Sequence, residues 1–400
     1  MSSHLQPGQI AVYEHKTSAL DIAPGSVFWK KLVLDSQASN YHVGARAIGV
    51  EPVGIVYDVL RKVGLEPYVA TPMEERKYKQ LRDKACPVCK KKNAPPAPHV
   101  DEATGNKCFE GRVVTDPGGQ LYANQREHDE TLDEYRERVR ADIAGNPEKY
   151  YQRGLIVRTH ADEHDAALDA WTTGRQIRES QLSGSWPRNT DACHQFNSEC
   201  DYWRVCSREA SIEDDTKFRT LDREHEELAG VGEVANAVDL DAPVSQADGA
   251  PTSAPRKRLP VLSTSSAKAY RKCPTFYLYA YELRRRPLRS SPALRFGTLI
   301  HRGLEVWWNT VDVVQAIHAM RESGDLDINP VDLIRAEELM LGYHVRWYRE
   351  RLNVLHVEKE FSAPLVNPTT GQASRTWVRG GKMDAVVQAA EAAEESAAAE

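Results

Sequence analysis

The chain has 400 residues, a net charge of −6 and a hydrophobic share of 41%, enough apolar content for the core of one large domain or two ordinary ones. No run of about 18 apolar residues occurs, and the start, MSSHLQPGQIAVYEHK, lacks a basic-then-apolar leader, so a membrane span and a secretory signal are not expected and a cytoplasmic setting is. The negative balance excludes a generally basic nucleic-acid coat and leaves any DNA contact to local patches.

In chain order, Ile10–Tyr13 and Gly54–Tyr57 read as apolar strands and the stretch from Trp29 to Val43 as an amphipathic covering helix, an α/β alternation. A Lys- and Pro-rich stretch containing CPVCKKKNAPPAPH reads as an irregular insertion. From Glu127 to about Ser180 the pattern is strongly charged and helical, in HDETLDEYRERVRADI, NPEKYY and ALDAWTTGRQIRESQL, and residues 228–258 are small, polar and linker-like. Helical periodicity returns in SSAKAYRKCPTFYLYAYEL, GTLIHRGLEVWW and VDLIRAEELMLGYHVRWYRERL. VEKEFSAPLV and TWVRGGKMDAVV then read as strands around a turn at Asn367 to Gly371, and from Gln388 an acidic tail reads as frayed or disordered.

Three residues suggest chemistry. Glu14, His15 and Lys16 end an apolar strand, where period-2 alternation puts Glu14 and Lys16 on one face. Hydrolysis of a phosphodiester needs carboxylates converging on a hard divalent cation, with an ammonium to orient the attacking water. Asp384, in GGKMDAVV, is a second acid on a strand preceded by two glycines that permit close backbone approach. Taken singly, each reads equally as a strand-end charge or a cross-strand ion pair.

Together, GGKMDAVV, AVYEHKTS and Gln37 to Tyr41 resemble the Asp, ExK and QxxxY motifs of the RecB-like branch of the PD-(D/E)XK nucleases, which includes AddB-type and CRISPR-associated exonucleases. FGTLIHRGLEVWW is similar to that branch's histidine-bearing helix. The resemblance implies an α/β restriction-endonuclease-like core, a mixed central sheet flanked by helices, with a helical Cys-cluster region. It implies Mg²⁺ or Mn²⁺ held by Asp384, Glu14, His301 and the His15 backbone carbonyl. Lys16 would position the water, and Gln37 and Tyr41, on one helix face, would steady the site or touch the DNA backbone. Glu305 follows His301 by one turn.

The order departs from the family's, because ExK and QxxxY come first while His301 and Asp384 come last, as in a circular permutation. The expected organisation is therefore residues 1–75 as the C-terminal half of the nuclease core, 76–117 as an insertion, 118–227 as a helical region with the Cys cluster, 228–258 as a linker, 259–387 as the N-terminal half and 388–400 as the tail. Two joined fragments without an assembled site are the alternative.

Seven cysteines in a chain without a leader are expected to stay reduced, and their clustering favours metal ligation. Cys193, Cys200 and Cys206, with Cys273 apart, supply the four thiolates of a cubane cluster. The same one-plus-three set holds [4Fe–4S] in the AddB-like and CRISPR-associated nucleases, with zinc or plain buried thiols as the alternatives. Cys86 and Cys89 form one CxxC able to hold Zn²⁺ with His99 and Cys108. Aromatic and basic residues from Tyr270 to Arg295 suit single-stranded DNA ends. The readings are a metal-dependent DNA exonuclease, with a helicase or recombination partner; a non-catalytic DNA-binding protein; and a zinc-knuckle interaction module.

Overall fold

The computed structural model describes residues 5–76, 99–100, 107–109, 112–113, 121, 125–195, 198–225, 228, 259–288, 291–323 and 328–390. Two compact units divide the chain, one of residues 1–63 with 143–400 and one of residues 64–142.

The larger unit is mixed α/β, with helices on both faces of a six-stranded mixed sheet. Its strands are β1 (Ile10–Ser18), β2 (Ile55–Arg61), β3 (Tyr151–Ile156), β4 (Val261–Ser263), β5 (Leu352–Val366) and β6 (Ala373–Ala389). β1 and β2 run parallel at the centre and are buried almost end to end, as strands covered on both faces must be. β3 lies antiparallel to β2, and β5 lies along one edge of β6.

The other edge of β6 is shared. β4 pairs in parallel as far as Gly380, and β1 pairs antiparallel from Ala385 onward. Between these ladders the sheet splits, and β1 continues from Glu14 to Ser18 as a partner of β2 alone. Gly380 and Gly381 lie at the split. A Cβ on Gly380 would stand 2.6 Å from the Val261 side chain, and one on Gly381 3.0 Å from the Phe361 ring, so only glycine lets the neighbours this close.

On one face, α2 (Ser36–Ala47) follows the short α1 (Val27–Leu32) and closes a core of Val12, Ala38, Tyr41, Ile55, Tyr57, Phe361 and Met383. Asp35 caps α2 by accepting the Gln37 amide, which fixes where Gln37 and Tyr41 begin their turn. α3 (His160–Ser183) starts in a Thr159/Asp162 capping box and ends at left-handed Gly184, and it packs beside α4 (Thr264–Lys272). On the other face, α5 (Pro292–Thr310) and α7 (Pro330–Trp347) bring Trp308 and Tyr343 against the strands, with α6 (Val313–Glu322) beside them. Among the described residues no helix is long and apolar enough to cross a membrane.

Several expectations need correction. The stretch from Glu127 to Ser180 is not helical throughout: Tyr151–Ile156 is a strand, because Tyr151 and Arg153 alternate inward onto β2 and Arg153 is a buried ion-pair partner rather than a solvated charge. The insertion is not wholly irregular either. In the smaller unit, strands His99–Val100, Lys107–Phe109 and Arg112–Val113 form an antiparallel piece, with the turn formers Gly105 and Asn106 in the sequence between the first two. The last strand runs through Ala389, so the sequence from Gln388 is not all tail: the Ala389 carbonyl accepts from Gly8 N–H and its N–H donates to the Gln9 carbonyl.

The smaller unit also holds the end of the expected N-terminal segment. There the Arg138 guanidinium stacks 4.0 Å from the Tyr68 ring and pairs with Glu130 at 2.7 Å.

Candidate active site

At the split in the sheet, the side chain of Asp384 turns toward β1, and its Oδ2 accepts the His15 backbone N–H at 2.7 Å. A strand edge that has lost its main-chain partner is thus completed by a carboxylate. His15 and Asp384 are 369 positions apart in sequence. Their meeting places Glu14, the next residue on β1, beside Asp384, and its charge is the neighbour that most raises the Asp384 pKa. Burial comes first among the causes, and together they hold the Asp384 carboxyl well above its ordinary range.

Glu14 is 2% exposed. Its Oε1 takes the Lys16 ammonium and, at 2.8 Å, the Gln37 amide, while its Oε2 is buried with no hydrogen-bond partner. An unanswered buried carboxylate oxygen costs about 1–3 kcal/mol. Lys16 also donates to Gln37 Oε1 at 3.1 Å, and Gln37 Nε2 reaches the Tyr41 hydroxyl at 2.7 Å. Glu14, Lys16, Gln37 and Tyr41 therefore form one hydrogen-bonded group on the α2 face.

Burial works to lower the Lys16 pKa, but the Glu14 charge and hydrogen bond outweigh it and the ammonium is stabilised. Burial pushes the Tyr41 hydroxyl well above its usual range, with the nearby acids adding to the effect, so it stays protonated.

His301 reaches the same point from α5, with Nδ1 3.8 Å from Asp384 Oδ2. Partial burial and the adjacent His15 push its pKa down to about 4, leaving a neutral ring with a free lone pair at neutral pH. Glu305, one turn on, is paired with Arg302. Among the described residues, no three His, Cys, Asp or Glu side chains stand as a ready-made metal-ligand group. At this site Glu14 Oε1 is engaged by Lys16 and Gln37 and Asp384 Oδ2 by the His15 amide, while Glu14 Oε2 is buried without a hydrogen-bond partner.

Sequence reasoning missed what lies directly behind. The His15 side chain points to the other face of β1, where Nδ1 is 3.4 Å from Asp58 Oδ2. Asp58 on β2 stands opposite both His15 and Arg153 in the strand registers. It takes Arg153 at 3.0 Å through each oxygen and also accepts the Tyr343 hydroxyl. Arg153 continues to Glu350 and lies 3.8 Å over the Trp347 ring. Burial works against the Asp58 charge, yet the Arg153 guanidinium overrides it and holds the carboxyl below the usual carboxylate range. The available signal was a lone acid inside the apolar strand IVYDVLR.

The four distant cysteines also meet. Cys193, Cys200, Cys206 and Cys273 line one pocket with Tyr202 and Phe276, all four as free thiols. Beside the pocket, Cys200 N–H donates to the Cys193 carbonyl at 2.8 Å and Asn189 N–H to Cys273 Sγ at 3.4 Å. Burial raises the Cys206 thiol pKa, and the other three cysteines add to the rise. Of the second cysteine set, His99 and Cys108 are register partners on paired strands, whereas Cys86 and Cys89 lie outside the described residues. The expected linker, residues 228–258, lies almost wholly outside them as well.

A model of the PD-(D/E)XK nuclease superfamily matches residues 261–374. That span is under a third of the chain. It includes β4, Cys273, His301 and β5, and it stops short of Asp384. No curated protein and no solved structure matches the chain.

Proposed function

We propose that this protein is a metal-dependent DNA nuclease of the PD-(D/E)XK type, RecB-like in its motifs and circularly permuted in their order, acting as an exonuclease on single-stranded ends. Residues 1–75 and 259–387 are then the two halves of one core. The observation that carries the reading is the His15 N–H to Asp384 contact, which brings an ExK strand and a distant acid to one point. The matched family segment supports it independently, because that segment contributes His301 and ends just before the acid.

The residues suit a divalent cation. Two buried carboxylates lie side by side, one with an unpartnered oxygen and the other with a pKa raised by burial and by its neighbour, so an added positive charge relieves both penalties. Asp384, Glu14, neutral His301 and the His15 carbonyl are the groups that would hold it. Mg²⁺ or Mn²⁺ bound there supplies an acidified water and a polarised phosphate.

The chain does the rest. Lys16, kept as an ammonium by Glu14, acts as a donor that orients the attacking water and meets charge developing on the phosphate. Gln37 fixes both Glu14 and Lys16, and Tyr41, protonated, fixes Gln37. The test is cleavage of single- and double-stranded DNA with Mg²⁺, Mn²⁺ or chelator. We expect cleavage only with metal, abolished by Glu14→Ala or Asp384→Ala in folded protein. Undiminished cleavage by both variants would sink the assignment.

One further part of the reading is a structural [4Fe–4S] cluster on Cys193, Cys200, Cys206 and Cys273. Its support is that four cysteines from two distant segments line one pocket, the number of thiolates an iron–sulfur cube takes, although among the described residues they do not stand as a ready-made ligand group. Anaerobically purified protein should be brown, with visible absorbance lost in Cys200→Ser. Zinc in place of iron on elemental analysis would contradict it.

A further inference from the structure

A pair of residues to which neither the motifs nor the proposed mechanism gives a role sits near Asp384. On β5, Val357 registers with Ala385 and Lys359 with Met383, so Glu358 falls directly across from Asp384. Its backbone is left-handed, with φ of 52°, a conformation a non-glycine residue adopts in a strand only when its surroundings impose it. The Glu358 carboxylate is ion-paired with Lys382, two residues before Asp384. Lys382 also feels Asp384 and Glu305, and Asp384 feels Glu358 as well as Glu14. The site thus has a second ammonium within range of its central acid, and Glu358 is the partner that occupies it.

We propose, resting on the nuclease reading, that Glu358 is a positioning residue that holds the Lys382 ammonium away from Asp384 and so keeps Asp384 able to accept a divalent cation. The physical reason is competition between cations for one carboxylate. Asp384 is buried, Glu14 beside it retains an unpartnered oxygen, and a free ammonium on a four-carbon stem satisfies such a pair as an internal ligand. Without Glu358, the acids left around Lys382 are Asp384 and Glu305, with Glu360 its register partner on β5, and of these Asp384 acts on it most strongly. A cation from solution must then displace a tethered one. The left-handed turn at Glu358 sets its carboxylate on Lys382 directly across from Asp384.

The experiment is Mn²⁺ binding to the full chain, without DNA, by calorimetry or water-proton relaxation, for wild type, Glu358→Gln, Lys382→Gln and the double variant. Circular dichroism and urea midpoints check the fold. Glu358→Gln should weaken binding by about tenfold or more, the size seen when groups that position metal ligands are lost. The double variant should return to within about threefold of wild type, and Lys382→Gln alone should bind at least as tightly as wild type. Unchanged binding in Glu358→Gln overturns the proposal. So does a double variant as weak as the single one, since Glu358 would then act as a ligand or through the fold. If wild type shows no Mn²⁺ binding that Glu14→Ala removes, the nuclease reading falls and this inference with it. Normal wild-type binding with no effect of Glu358→Gln defeats the inference alone.

Discussion

The two faces of β1 carry the same kinds of residue to opposite ends. On one face the buried carboxylate of Glu14 keeps an oxygen with no partner beside Asp384, another buried acid. Behind it, the His15 side chain meets Asp58, whose Oδ2 accepts from Arg153 and Tyr343 and whose Oδ1 lies 3.0 Å from the Arg153 guanidinium, so that its charge faces an opposite one. Asp58 holds its charge firmly, whereas Asp384 holds its charge reluctantly. An acid that faces a buried cation holds a fold together; two acids that face each other are a site suited to an added positive charge.

The sharpest way to break that comparison is to remove each acid in turn. Asp384→Asn or Glu14→Gln should cost about a thousandfold or more in metal-dependent cleavage, equivalent to several kcal/mol of lost charge stabilisation. Asp384→Asn should leave the urea midpoint unchanged or higher, because a carboxyl disfavoured by burial and by Glu14 goes with it, whereas Glu14→Gln also removes the Lys16 ion pair and should lower the midpoint slightly. Loss of stability as large as the loss of activity would show that these carboxylates serve the fold.

Asp58→Asn should do the reverse. It strands the buried Arg153 and should destabilise by about 3–5 kcal/mol in urea titrations. The pH dependence carries a definite sign. The folded pKa of Asp58 lies below the unfolded value, so its stabilisation is complete above about pH 4 and drains away as pH falls toward the folded value. Asp58→Asn should flatten that acid limb, and an unaltered limb between about pH 4 and 2 would refute the pair's role.

A smaller effect belongs to the helix side. Tyr41→Phe removes one hydroxyl from the chain that runs through Gln37 to Glu14 and Lys16, and should lower cleavage by up to about tenfold, the worth of one hydrogen bond. An equal loss of stability instead would make Tyr41 a packing residue beside Phe361.

The smallest change is expected from reversing the proposed permutation. Gly8 donates to the Ala389 carbonyl and Ala389 to the Gln9 carbonyl, so the end of β6 and the approach to β1 already lie as the two arms of a hairpin. A variant with these joined by a short Gly-Asn turn and opened within residues 229–258 should cleave within about threefold of the original. Failure to fold would show that the swapped order matters.

Much of this was visible in the residues. Glu14, Lys16 and Asp384 stand out because charges at apolar strand positions are rare, and the strands flanking Asn367 to Gly371 follow from alternation and the turn formers between them. What could not be read was partnership. Asp58 and Arg153 lie 95 positions apart, and nothing in YQRGLI distinguishes a buried arginine from a solvated one, so that strand read as part of a charged helix. Glu358 and Lys382 look like an ordinary EKE and GK until the register sets one beside Asp384. The convergence of Glu14 with Asp384 is likewise a property of the split sheet rather than of either motif.

That split sheet also sets a clock on the ribosome. Because Asp384 follows His15 by 369 positions, at about 5–20 residues per second its strand emerges roughly 20–70 s after the strand it completes. Through that interval the nascent chain displays Glu14 and Lys16 without Asp384, the acid that the split in the sheet brings beside them.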